Sequence, residues 1–272
     1  MHTGLTPEGA LAALAWQIDL GADEAIGDVP LSRHVAPEIR AAGREEAPAA
    51  AVPPAAPGGA APPAETAAGE VDPVAEARRM AAAATTLEEL RAALGAFPHC
   101  ELRKGARNTV FADGTPGARV MIVGEAPGRE EDIEGRPFVG RAGRLLDKML
   151  AAISMGRQAE GAGAVYIANV LPWRPPQNRD PTPAEIAMLL PFLERHVALA
   201  APDVVVLMGN IACAATLGRR GITRLRGTWT EALGRPALPM FHPAYLLRTP
   251  SAKREAWADL LALQARLRSP AP

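Results

Sequence analysis

Four short apolar runs, each closing on a glycine or a polar residue and separated by stretches with helical spacing, most constrain what this chain can fold into. They are ARVMIVGE (118–125), AVYIANV (164–170), DVVVLMG (203–209) and ALPMFH (237–242). Unbroken apolar strands, as opposed to alternating ones, are those buried on both faces. Helical connections between them run the strands parallel. The intervening segments carry the helical signals: GRAGRLLDKMLAAIS is amphipathic, and TPAEIAMLLPFLERHVALA opens with Thr182 as N-cap and Glu185 completing a capping box. Pro191 marks a point where that helix can kink. NIACAATLG, SAKREAWADLLALQARLRS and, upstream, VAEARRMAAAA and TTLEELRAALGAF read as further helices. The expected fold is α/β: three α/β/α layers around a central, mainly parallel four-stranded sheet, occupying residues 74–272.

What precedes that domain is different in kind. Residues 1–43 are acidic and partly helical: Thr6 and Pro7 open a segment with Leu11, Leu14, Ile18 and Ala22 on one face. Residues 44–73 hold seven prolines among alanines and glycines and form a semi-extended linker with nothing to build a core from. The net charge of −1 conceals a split, because residues 1–75 hold 11 Asp/Glu against 3 Lys/Arg and the remainder 19 against 26. An acidic tail of −8 on a domain of +7 suits nucleic acid as the domain's partner and makes the tail a candidate docking element for an unidentified protein. Two cysteines, Cys100 and Cys213, exclude a disulfide framework and any four-cysteine metal site. With no spanning apolar run and no leader-like start, the expectation is a cytoplasmic protein without membrane contact, and a monomer needs no extra assumption.

In open α/β sheets ligands bind beyond the carboxyl ends of the strands. The unusual residues collect there: Gly124-Glu125-Ala126-Pro127-Gly128 after the first strand, Asn169 after the second, Gly209-Asn210 after the third, and His242 after the fourth, ringed by arginines. Singly, each has a plainer reading. Glu125 can cap a turn, Asn169 can end a strand, His242 can be a loop histidine, and Phe138 and Trp173 can be packing residues. Cys213 reads as a small buried hydrophobe. The convergence of a carboxylate, a carboxamide and an imidazole on one edge carries the functional expectation.

The segments GEAPGREEDIEGRPFVGRAGRLLDKML (124–150), YIANVLPWRPPQNR (166–179), DVVVLMGN (203–210), GITRLRGTW (221–229) and FHPAYLLR (241–248) resemble the uracil-DNA glycosylase superfamily, closest to its family 4. The resemblance covers Thr86 to Leu267 and leaves the tail and linker out. It implies a monofunctional hydrolase of base excision repair. Such an enzyme flips uracil from single- or double-stranded DNA into a pocket and cuts its N-glycosidic bond. The implied uracil pocket comprises Gly124, Ala126, Pro127, Gly128, Phe138, Asn169 and His242. In it Phe138 stacks on the base, Asn169 reads its Watson–Crick edge, and His242 stabilises charge on O2. Glu125 positions water or stabilises an oxocarbenium-like sugar. In the best-known family of the superfamily the carboxylate lies one position later, at the place of Ala126. Arg174, Arg179, Arg248 and Lys253 are implied DNA contacts. Leu246 or Leu247 is the candidate for filling the space the base vacates, the alternative being a helix start with its leucines facing the core.

Many family 4 members carry a four-iron four-sulfur cluster on four cysteines. The matching positions here are Phe97, Cys100, Trp173 and Leu189, a single thiol where a full set is required, so no metal or other cofactor is expected. A related subgroup traps uracil covalently through a histidine that LPWRPPQNRDPTP (171–183) does not contain. The alternatives to a glycosylase are a uracil-DNA-binding protein that uses the same pocket without catalysis, and an enzyme of free nucleotides that uses the glycine loop as a phosphate cradle. The second lacks a Walker sequence and an acidic metal-ligand cluster.

Overall fold

A computed structural model describes residues 72–268. The expected N-terminal helical segment, and all of the linker but Asp72 and Pro73, lie outside the described residues. Those two residues belong to the domain. Helix α1 (Pro73–Ala83) begins with proline in its first turn, and the Asp72 carboxylate accepts from Val74 N at 2.9 Å. Helix α2 (Leu87–Ala96) starts the same way, with the Thr86 hydroxyl accepting from Glu89 N at 3.1 Å.

The chain continues through α3 (Leu102–Gly105), β1 (Asp113–Gly114), β2 (Val120–Gly124), α4 (Arg129–Glu134), α5 (Arg141–Ala151) and β3 (Val165–Asn169). Then come α6 (Pro183–Ala200), β4 (Val204–Met208), α7 (Gly209–Leu217), α8 (Ile222–Leu225), β5 (Thr230–Ala232), β6 (Arg235–Met240), α9 (Pro243–Arg248) and α10 (Lys253–Arg268). The sheet order is β1-β3-β2-β4-β6-β5. The four apolar runs are the parallel centre, β3-β2-β4-β6, as expected. The sheet has six strands, not four, because two short antiparallel strands close its edges. Strand β5 returns into β6 through Leu233 and Gly234, both at positive φ, which is the two-residue turn whose twist matches a hairpin.

Strands β2 and β4 are buried along their whole length, since helices cover both faces of the sheet. Helices α1 and α2 pack on α6, which also meets α7; α5 packs on α9 and α10. The capping box at the start of α6 is present as read: Thr182 N donates to Glu185 at 2.8 Å and Glu185 N to Thr182 at 3.2 Å. The helix continues through Pro191 to Ala200. No helix among the described residues is long and apolar enough to cross a membrane.

One polar contact fixes α6 to the strand that carries Asn169. The buried His196 of α6 shares a 2.9 Å hydrogen bond through Nε2 with the Tyr166 hydroxyl of β3, and its ring stacks on Phe111 at 4.3 Å. Nothing in the sequence pairs these residues. Burial pushes the His196 pKa down from 6.5 to about 4. The neutral ring therefore stabilises the fold fully above pH 6.5, and that contribution is lost as pH falls toward 4. The loss expected from this group is on the order of 3 kcal/mol. Urea unfolding at stepped pH measures it, and H196Q, which keeps a hydrogen-bonding group for Tyr166 but cannot titrate, is expected to show the shallower acid decline.

Candidate active site

The parallel register brings the strand ends together. Gly124 at the end of β2 lies opposite Asn169 at the end of β3, and Met208 of β4 opposite Met240 of β6, so Gly209 and His242 follow side by side. Beyond these ends opens a cleft of about 560 Å³. Glu125, Ala126, Pro127, Gly128, Phe138, Asn169 and His242 all line it, so the structure brings together every expected base-pocket residue except Gly124, which is buried behind them. Two glycines make the arrangement possible. A Cβ on Gly124 would sit 2.5 Å from the Phe138 ring and closer still to the Asn169 side-chain oxygen. Gly209, at φ +90°, would bring a Cβ to 3.0 Å from that of His242.

Phe138 is buried, and its backbone is in the left-handed region at φ +54°. For a bulky residue that conformation costs about 1–3 kcal/mol and persists only when its surroundings over-determine it. They do so through the N–H and carbonyl groups of the turn. The Glu131 carboxylate accepts from Val139 N at 3.0 Å and Gly140 N at 2.9 Å, while its other oxygen accepts from Gly128 N at 3.1 Å. Glu131 thus ties the glycine loop to the Phe138 turn. At the carbonyl groups of the same turn, the Arg157 guanidinium donates to Pro137 O at 2.9 Å and Phe138 O at 2.8 Å. The Phe138 ring lies beside that of His242, with centroids 5.4 Å apart and planes 28° apart.

His242 is the N-cap of α9, and its Nδ1 accepts from Ala244 N at 3.2 Å. An accepting Nδ1 carries no proton, so in the neutral ring Nε2 is the donor. Burial pushes the His242 pKa down from 6.5 to about 4; Arg248 adds to this and Glu131 opposes it. At neutral pH the cleft therefore holds an uncharged imidazole donor. Burial also drives the Glu125 carboxyl up to about 7, with Asp180 adding and Arg220 opposing. Among the described residues the Asn169 carboxamide has no hydrogen-bond partner, which leaves donor and acceptor for a ligand. A flat ring surface, a carboxamide, a neutral donor and a carboxylate near half-ionisation, rimmed by Arg220 and Arg248, suit a planar polar heterocycle carried on an anion.

The rim departs from expectation at Leu246, and two of its arginines have partners within the chain. Leu246 is 1% exposed and belongs to the core, whereas Leu247 is 39% exposed. Successive residues of a helix lie about 100° apart around its axis, which turns Leu246 into the core and Leu247 to its edge, so only Leu247 is free to enter a ligand. Arg179 lines the cleft but is held by Glu185 at 2.6 and 2.9 Å, and Arg174 bonds Asn178 at 2.8 Å. These two arginines shape the 174–185 loop. Arg248 and Lys253 are exposed. Arg157, Glu131 and Arg220 were not marked as site residues by the sequence, whereas Gly209, directly after an apolar strand, was placed at this edge without a role.

The four positions that match the cluster ligands do not fit such a group. Phe97, Trp173 and Leu189 are buried side chains of the core without a thiolate, and burial raises the pKa of the Cys100 thiol. Trp173 spends its indole N–H on Thr109 at 3.1 Å. Cys213 lies on α7, a different element. Among the described residues no group of three or more His, Cys, Asp or Glu side chains is arranged to hold a metal ion.

Comparison with known proteins gives concordant matches. The family model described as the uracil DNA glycosylase superfamily matches residues 111–261. A type-4 uracil-DNA glycosylase of Thermotoga maritima is 43% identical over 155 residues, covering 56% of this chain and 78% of the relative. Its counterpart in Archaeoglobus fulgidus is 39% identical over 169 residues, 59% and 82% of the two chains. That of Pyrobaculum aerophilum is 36% identical over 188 residues, 64% and 91%.

The contrast between the two leucines can be measured directly. Leu246→Ala is expected to lower stability by about 2–5 kcal/mol as a buried large-to-small change. Leu247→Ala is expected to leave it within about 0.5 kcal/mol. Urea midpoints of the two variants decide this, and equal losses would return Leu247 to the core.

Proposed function

This chain belongs to the uracil DNA glycosylase superfamily, and we propose that it excises uracil from DNA by hydrolysis, leaving an abasic site. The observation that carries the reading is the joint placement of Phe138, Asn169 and a neutral, Nε2-protonated His242 around one cleft. A base inside a duplex is out of reach and must be extruded to enter such a cleft. The Phe138 ring stacks on it. The Asn169 amide N–H donates to O4 and its oxygen accepts from N3–H, a match that cytosine, with an amino group at C4, does not offer.

When the C1′–N1 bond breaks, its electron pair leaves with the base and spreads onto O2. His242 Nε2–H donates a hydrogen bond there. An imidazole that stays neutral down to about pH 4 is a stabilising donor to an anion, not a source of a full proton. Water adds to C1′, and the ionised Glu125 carboxylate orients it, stabilises positive charge on the sugar and takes up its proton; the uracil anion is then protonated by solvent. The basic domain, with Arg220 and Arg248 lining the cleft and Leu247 and Lys253 exposed in the same stretch of chain as Arg248, supplies phosphate contacts and a wedge for the vacated space. The chemistry runs on these side chains without an iron–sulfur cluster, as the single thiol at the four matching positions supports; stoichiometric iron in purified protein would overturn this. On this reading the protein acts as a monomer on cytoplasmic DNA.

Oligonucleotides with one uracil, end-labelled and treated with alkali after incubation, test the activity. Cleavage only at uracil supports it. Intact DNA with a retained uracil-dependent gel shift would turn the reading to a non-catalytic binder. His242→Ala is expected to lower kcat by about 10²–10³-fold, the worth of one oxyanion donor. Because Glu125 must be ionised and titrates near pH 7, kcat/KM is expected to rise through about pH 7 and to be lost below it. Glu125→Gln is expected to lose that limb along with most of the rate; an unchanged limb would assign it to another group.

A further inference from the structure

We infer that Arg157, which bonds the Phe138 turn without lining the cleft, is a positioning residue that sets the base-stacking ring. This rests on the reading of the cleft as a base pocket. Arg157 lies in a turn after α5, and its side chain is 9% exposed. Its guanidinium makes four hydrogen bonds: Nε to Asp147 at 2.9 Å, Nη1 to Asp113 at 2.7 Å and to the Pro137 carbonyl at 2.9 Å, and Nη2 to the Phe138 carbonyl at 2.8 Å. The two carboxylates neutralise the cation and orient its plane. The two carbonyls are what it orients in turn.

Adjacent carbonyls face opposite sides of an extended chain, so one guanidinium cannot meet both there. Only a helical-type turn at Phe138 presents them together, and φ of +54° shows that the turn is the left-handed one. That choice determines where the ring points. Below the turn Gly143 offers no Cβ, and one added there would collide with the Phe138 carbonyl, so the backbone is pressed into place from beneath as well. Arg157 thereby couples edge strand β1, through Asp113, and helix α5, through Asp147, to the stacking ring, without itself lining the cleft. Lysine keeps the charge but lacks the planar fork that reaches two carbonyls and two carboxylates at once.

The test compares R157K, R157M, F138L and R157K/F138L in the full chain. Three quantities are measured: inhibition of wild-type and variant turnover by free uracil, affinity for abasic DNA, and thermal midpoint. R157K and R157M are expected to weaken uracil inhibition about tenfold, the scale of a base–aromatic stacking contact, as F138L does. Affinity for abasic DNA, which has no base to stack, is expected to stay within about twofold. R157K/F138L is expected to be no worse than F138L, because both changes remove the same contact. A purely structural role predicts losses that follow the thermal midpoint and fall on abasic DNA equally; that result, or uracil inhibition unchanged in folded R157K, would overturn the inference. If neither Arg157 variant folds, D113N/D147N keeps the guanidinium and removes what orients it. The same selective loss is expected at smaller size, and wild-type uracil inhibition in it would be contradictory. Wild-type protein that ignores both uracil and uracil-containing DNA would remove the base-pocket reading itself.

Discussion

The site depends on one close approach, at Gly124. The end of β2 lies against Asn169 in register and beneath the Phe138 ring, and no side chain can stand between them. A methyl group there would push the carboxamide and the aromatic face apart, the two groups to which the proposed function assigns recognition of a flat ring with polar edges. The parallel sheet sets this up, because pairing β2 with β3 fixes how far the two strand ends extend. Helix packing then holds β3 in place, through the His196–Tyr166 contact among others.

Around that point the Phe138 turn and the His242 ring are held by backbone contacts. Glu131 gathers three backbone N–H groups from two loops, Arg157 gathers two carbonyls, and Ala244 N fixes the His242 ring and with it the proton position. These bonds offset the cost of a bulky residue in the left-handed region and of burying an imidazole. The yield is electrostatic: burial holds the His242 imidazole well below its ordinary pKa, down to about 4, which favours the neutral form. A donor fixed before the charge develops needs no reorganisation at the moment of bond cleavage.

The centre of the fold was legible because strands buried on both faces leave unbroken apolar runs, and the placing of the glycine loop, Asn169 and His242 at the cleft was legible because they follow those runs directly, whereas Phe138 was marked only by the resemblance. The edge strands were not. Two or three residues, such as Asp113–Gly114, carry no periodicity, and their pairing is decided by the neighbour they meet. Leu246 and Leu247 are identical in sequence terms, and only the helix phase separates core from surface. Arg157 was invisible for a different reason. Two of its acceptors are main-chain carbonyls about twenty residues away, and a main-chain carbonyl has no sequence signature. That Arg179 also pairs with Glu185 was not legible, because the capping box already accounts for that glutamate and nothing in the spacing shows that it serves both.

The central claim is that His242 waits in the cleft as a neutral imidazole with its proton on Nε2. Nitrogen-15 spectra of histidine-labelled protein, with the His242 signals assigned through H242N, test it directly. The account predicts a protonated Nε2 and an unprotonated Nδ1 at pH 7, a ring that stays neutral until about pH 4, and an Nε2 shift on addition of free uracil. A cationic His242 near neutral pH, or a proton on Nδ1, would contradict it.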